Sequence, residues 1–310
     1  MSNTIIHIGM PRTATTFFQQ SVFPKLTDYD YFGIETTHFN DVFNQLQFAD
    51  DSFYDKELVK TFTKNWSTKN VILSNEGFIG QSYPLNYINR SIIANRLSEI
   101  FPQAKILLVL RNQLDLLASL YSISLLWRET KAIDDYIWTP HKNNNVGNGP
   151  ANLLFNTYDD YENINGYDYL TLINLYKQRF SHVEILLFED FIQQPELFSK
   201  QLDAFFKVKE GTIFNLIQNN KSVNEGANIT QAQKLIRLNK LEASTSSLLF
   251  KKFLQKRKNS VMNSNGGGKK PYFSEQKTKE LKNYFGPLNK KLAEQYPEIG
   301  LQKYSEKYYL

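Results

Sequence analysis

The 310-residue sequence contains no cysteine, which excludes disulfides, thiolate metal sites and cysteine nucleophiles. Histidine is scarce: His7, His38, His141 and His182 are the complete set, and no clustered His/Asp group of metal-ligand spacing is present. No apolar run approaches the roughly 18 residues of a membrane span, and no repeat occurs at solenoid periods. The first apolar run begins within four residues of Met1, which leaves no room for a signal peptide. A soluble, cytoplasmic protein without membrane insertion is the expectation. Charge of one sign is in modest supply. A net charge of +5 suits an anionic ligand without arguing for nucleic acid.

What the chain does have is enough apolar sequence, 41%, for one large α/β core. Thr4-Ile-Ile-His-Ile-Gly9 reads as a short buried strand, after which Pro11 turns the chain and Arg12, Thr13, Thr15 and Thr16 open a helix over about 14–24. Such a helix start presents backbone N–H groups without intrahelical partners and favours negative charge. On its own this strand–turn–helix is equally an anion site or an ordinary capped βα turn. Tyr29-Asp-Tyr-Phe-Gly33 is a second strand, a helix is expected around 56–66, and Asn70-Val-Ile-Leu-Ser-Asn-Glu-Gly77 is a third strand broken at its glycine. A helix near 88–101 leads to Ala104-Lys-Ile-Leu-Leu-Val-Leu-Arg111, continuously apolar like a parallel strand covered on both faces.

Asn112 with Asp115 three residues on resembles a capping box for a helix reaching about Arg128. Residues 129–166 are too long for a plain connection and read as an insertion or lid. A helix near 167–181 precedes Glu184-Ile-Leu-Leu-Phe-Glu-Asp190, a last strand. The alternation predicts one domain over 1–310: a three-layer α/β fold, its mostly parallel sheet of about five strands flanked by helices. The region 229–310 is helical and basic. Between Gln231 and Lys270 ten lysines and arginines face one acid, Glu242. The 251–258 cluster reads as a solvated face, whereas Gly266-Gly-Gly-Lys-Lys270 is a basic loop able to close over a phosphate.

Ligands of such sheets sit beyond the C-terminal strand ends. Those positions collect Arg12 to Thr16, Glu76 and Arg111. Two arginines, several hydroxyls and one carboxylate fit transfer of an anionic group, with the carboxylate as base. Taken singly, Arg111 could be a structural ion-pair residue and Glu76 a solvated strand-end acid.

The residues also carry a resemblance. Gly9-Met-Pro-Arg-Thr-Ala-Thr-Thr16 resembles the 5′-phosphosulfate loop of sulfotransferases that use 3′-phosphoadenosine 5′-phosphosulfate (PAPS), of form G-x-P-R/K-S/T-G-T-S/T. Arg111-Asn-Gln-Leu-Asp-Leu-Leu-Ala-Ser119-Leu-Tyr121 is similar to their 3′-phosphate segment, R-x-P-x-D-x-x-x-S-x-Y. Leu187-Phe-Glu-Asp-Phe191 resembles their later strand ending in aromatic-Glu-Asp, and Gly268-Lys269-Lys270 the basic loop before a C-terminal helix. The resemblance spans nearly the whole chain and implies a sulfotransferase fold of the P-loop-NTPase type. Two positions depart from the pattern, Ala14 for the loop glycine and Gln113 for a proline, and the loop cation is Arg12 instead of lysine.

No histidine follows the third strand, so the Leu73-Ser-Asn-Glu76 ending resembles members with a glutamate base. The resemblance implies PAPS as donor and adenosine 3′,5′-bisphosphate as product, with Glu76 and Arg12 catalytic. Pro11, Arg12, Thr13, Ala14, Thr15, Thr16, Arg111, Ser119, Lys269 and Lys270 would bind the donor. The acceptor would be a hydroxyl of a glycan or small molecule, walled by the 37–66 and 129–166 segments, and the arginines, without a metal, would neutralise charge. A nucleotide kinase is the first alternative, although no G-x-x-x-x-G-K-S/T is present and the fourth strand ends in Arg111 with no Mg²⁺-binding Asp. A non-catalytic anion- or nucleic-acid-binding protein is the second.

Overall fold

Five short apolar runs become parallel strands: β1 (Thr4–His7), β2 (Tyr29–Phe32), β3 (Asn70–Ser74), β4 (Lys105–Leu110) and β5 (His182–Leu187). The computed structural model describes residues 3–33, 39–64, 70–80, 89–127, 129–138, 162–220, 227–264 and 268–310. The strand order is β2-β3-β1-β4-β5, with every pairing parallel. In register, Ile5 faces Ile72 on one side and Lys105 on the other. The chain leaves β1 toward β2 and leaves β4 toward β5, so the direction of winding reverses between β1 and β4. That reversal opens the crevice in which ligands of open α/β sheets bind.

The described residues divide into two compact units. The first comprises 1–112, 165–222 and 286–310, the second 113–164 and 223–285. The first holds the whole sheet. Ile5, Ile72, Leu107 and Val109 pack with Phe18, Phe23, Phe198 and Phe206 in one cluster. Their neighbours in the strands, Ile6, Leu73, Ile106 and Leu108, are equally buried. Both sheet faces are therefore covered, which is why these strands read as continuous apolar runs and not as alternating ones.

The second unit is helical. It contains the helices Gln113–Ser124, Ile229–Ala243 and Leu248–Asn263, and a two-residue parallel pairing of Ile137–Trp138 with Glu162–Asn163. Asn228 and Gln231 form a reciprocal capping box at the start of the Ile229–Ala243 helix. Asn239 donates its Nδ2 to the carbonyls of Leu125 (2.9 Å) and Glu129 (2.6 Å). Lys258, 1% exposed, is ion-paired with the buried Glu242. The only acid of the basic stretch is thus neutralised internally, along with one of its ten cations.

Several expected boundaries shift. The first helix is α-helical only over Thr15–Phe17, then widens to a π turn (Phe18–Val22) and tightens to a 3₁₀ turn (Phe23–Lys25) that contains Pro24. β3 stops at Ser74, because Asn75 accepts the Gly77 N–H (2.7 Å) and caps a 3₁₀ turn, Glu76–Ile79. β5 begins at His182 and ends at Leu187. Phe188-Glu-Asp190 belongs instead to the first turn of the helix Phe188–Gln193, where carboxylates suit the helix dipole. The helix expected over 56–66 spans Lys56–Thr63. That expected over 88–101 spans Arg90–Ile100, and that over 167–181 spans Tyr169–Lys177. Ser274 accepts the Lys277 N–H (3.2 Å) at the start of the Glu275–Gln295 helix. His38, His141, most of the 129–166 insertion and Gly266 and Gly267 lie outside the described residues.

Candidate active site

The loop after β1 is shaped by backbone first. Gly9 is hemmed in: a Cβ there would lie 2.5 Å from Thr15 Cγ2 and 2.9 Å from His7 Cε1. Both distances are shorter than any carbon contact, so only glycine fits. Three residues on, at Arg12 (φ 67°), and again at Ala14 (φ 64°), the chain enters the left-handed region. Neither carries the glycine that this conformation prefers, and each L-residue held there costs about 1–2 kcal/mol. The Ala14 carbonyl then accepts the Phe18 N–H (3.0 Å) and helical structure begins, without a side-chain cap at Ala14. The first-turn N–H groups of Thr15 to Phe17 are the orphan donors of that start.

The threonines divide by role. Thr13 and Thr15 are buried, and both hydroxyls donate to the Met10 carbonyl, at 2.6 and 3.0 Å. They tie the loop to itself. Thr16 is exposed. Thr15 also hydrogen-bonds the side chain of Glu76. A hydroxyl has one proton and two acceptor lone pairs. An ionised Glu76 competes with the Met10 carbonyl for that proton, which is how the Thr15 contact favours the carboxylate.

The reversal between β1 and β4 brings the two arginines together. Arg111 donates from Nη1 to the Arg12 carbonyl (3.0 Å), its guanidinium lies 4.8 Å over the Phe188 ring, and its own carbonyl accepts Tyr169 Oη (2.6 Å). Burial, and then the neighbouring Arg111 charge, hold the Arg12 guanidinium below its usual range, while Glu76 pulls it back up. Burial pushes the Glu76 carboxyl above the ordinary carboxylate range, opposed by the Thr15 hydrogen bond and by Arg12. Two half-buried cations at one crevice repel one another. A multiply charged anion between them would relieve both that repulsion and their desolvation.

Sequence reasoning missed what holds Arg111 in place. Glu189 accepts the Asn112 N–H on Oε1 (2.8 Å) and Tyr308 Oη on Oε2 (2.9 Å), and Asp190 accepts Tyr304 Oη (2.8 Å). The side-chain amide of Asn112 donates to the Lys307 carbonyl. The residue after Arg111 is therefore clamped by β5's continuation and by the C-terminal turn, and the Phe188-Glu-Asp run is the signal that could have revealed it. Ser74 links His7 Nδ1 (2.7 Å) and Gln19 Nε2 (3.0 Å) beneath the loop. Of the expected site residues, Pro11 to Thr16, Glu76 and Arg111 belong to the first unit, whereas Ser119, Lys269 and Lys270 belong to the second. In the second unit, Ser119 is half-buried on the Gln113–Ser124 helix. Lys269 and Lys270 are exposed, and the Lys269 carbonyl accepts the Ile229 N–H (3.0 Å). Among the described residues no group of His, Asp and Glu is placed to hold a metal, and no helix is long and apolar enough to cross a membrane.

No curated protein matches the sequence. Among solved structures, a sulfotransferase from Alicyclobacillus acidocaldarius is 17% identical, with 86% of this chain and 97% of that one covered and a TM-score of 0.44. A mouse sulfotransferase complexed with PAP is 12% identical, with 97% and 89% covered, also at 0.44. The sequence matches the sulfotransferase domain family over residues 2–296, nearly its whole length, and the chain belongs to that family.

Proposed function

We propose that this sulfotransferase takes its sulfuryl group from PAPS and passes it to a hydroxyl acceptor, a glycan or small molecule, with Glu76 as general base. The observation that carries the reading is the convergence of Glu76, Arg12 and Arg111 at the β1/β4 reversal, over a loop in which a glycine is sterically required. The donor residues fit the group: the loop presents first-turn N–H donors and a half-buried arginine, as a 5′-phosphosulfate needs, and Arg111 is a second fixed cation for a 3′-phosphate. When bound, the donor supplies an electrophilic sulfur and a leaving group whose charge grows during transfer. Glu76, its carboxyl raised above the ordinary range by burial, accepts the acceptor's hydroxyl proton. Arg12 and the loop N–H groups meet charge where it develops, and need little reorganisation because the Thr13 and Thr15 bonds to Met10 lock the turn. The roles that the resemblance implies for Ser119, Lys269 and Lys270 are part of the proposal.

Glu76→Gln should retain adenosine 3′,5′-bisphosphate binding by calorimetry yet lose transfer by about 10²-fold or more, the usual worth of a positioned base. Full activity in that variant removes Glu76 from the mechanism. Arg111→Ala should abolish the preference for nucleotides bearing a 3′-phosphate. Metal-dependent ATP turnover by the wild type would favour the kinase reading instead.

A further inference from the structure

The Ile229–Ala243 and Leu248–Asn263 helices form a hairpin whose connecting end is apolar on the outside. Leu248 and Leu249 are 75% and 81% exposed, Phe253 is 51% exposed, and Phe250 and Leu241 are exposed beside them. The second helix buries Leu254 and Lys258, four residues apart, against its partner helix. Its opposite face carries Leu249 and Phe253, again four apart and therefore on one stripe. Phe250 stacks on Phe253 at 6.0 Å, and Arg257 lies 5.8 Å over the Phe253 ring, so the exposed rings are ordered side by side.

The charge around this stripe has one sign. Lys252, Lys256 and Arg257 flank it and are exposed. Between Glu242 and Glu275 the sequence contains no acid, and Glu242 is buried and paired with Lys258. A solvated helix face needs the basic residues but not consecutive exposed leucines and phenylalanines at its first turns. A basic rim around an apolar helix end matches an anionic lipid surface. Acyl chains take up the apolar side chains, headgroups meet the cations, and no complementary groove is needed.

We propose that this hairpin end docks the protein on anionic membranes, lying in the interface without spanning it. The surface is independent of the nucleotide chemistry and would place the enzyme beside acceptors held at a membrane. The test is flotation of the full chain with phosphatidylcholine vesicles, with and without about 30 mol % phosphatidylserine, in the absence of nucleotide. The wild type should float with the anionic vesicles only, and less so as salt rises. Leu248→Gln with Leu249→Gln, and separately Lys252→Glu with Arg257→Glu, should each weaken binding by roughly tenfold or more at unchanged circular dichroism. No flotation with anionic vesicles overturns the proposal, and so does equal binding to neutral vesicles. Wild-type binding by both variants places any membrane contact elsewhere. If light scattering instead finds a wild-type dimer that the leucine variant converts to monomer, the face is a self-association surface.

Discussion

Ala14 at φ 64° stands where the family pattern has glycine, and its neighbour Arg12 shares the left-handed conformation. The substitution is visible in sequence; the sign of φ is not, because it follows from how the loop closes on Met10. Ala14→Gly should relieve the strain and raise stability by up to about 1 kcal/mol, less what glycine loses in the unfolded chain, as read from the denaturation midpoint. Thr15 offers a second test. Its hydrogen bond pulls the Glu76 carboxyl down against desolvation. Thr15→Val should therefore move the acid limb of kcat/KM to higher pH. An unmoved limb would separate Thr15 from the base. The sequence does not show where the Thr13 hydroxyl goes: it donates to the Met10 carbonyl 2.6 Å away.

Among the elements, the buried strands were legible to within one residue at most starts, because a run covered on both faces has no other way to hide its side chains. Their ends were less so. Glu76 and Glu189 both follow apolar runs and were read as strand, but the Asn75 cap and the helix at Phe188 begin a turn earlier. Glu242 and Lys258 illustrate the same limit in the helices, since a spacing of sixteen residues gives no hint that two helices will set them face to face. Removing one partner leaves a buried charge. Lys258→Met should thus destabilise the hairpin by about 3–5 kcal/mol, whereas Lys258→Met with Glu242→Leu should recover most of that loss. Circular dichroism melts of the two variants check it. Equal melting of wild type and Lys258→Met would mean that the pair does not hold the helices together.

At the scale of the whole molecule, stability should carry the signature of one buried imidazole. His7 is fully enclosed between Phe18, Phe23 and Ser74, and burial pushes its pKa down from 6.5 to about 3. The unfolded chain takes up a proton below pH 6.5 and the folded chain does not. The stabilisation is therefore complete above that pH and is lost as pH falls toward about 3. Between pH 7 and pH 5 the wild type should lose about 2 kcal/mol from this group alone. His7→Asn, though weaker throughout, should lack that slope in denaturant titrations, and identical slopes would contradict the assignment.

The same imidazole shows where sequence stops and structure begins. Apolar runs, turn residues and the loop motif are local, so an α/β fold with parallel strands and membership of the sulfotransferase family could be read without coordinates. Which groups come within 3 Å of each other could not. The Met10 carbonyl taking two threonines, Arg111 reaching the Arg12 backbone across ninety-nine residues, and Glu189 gripping Asn112 are all long-range encounters. They depend on strand order and on the backbone angles of one strained turn, which only the packing of the whole chain decides.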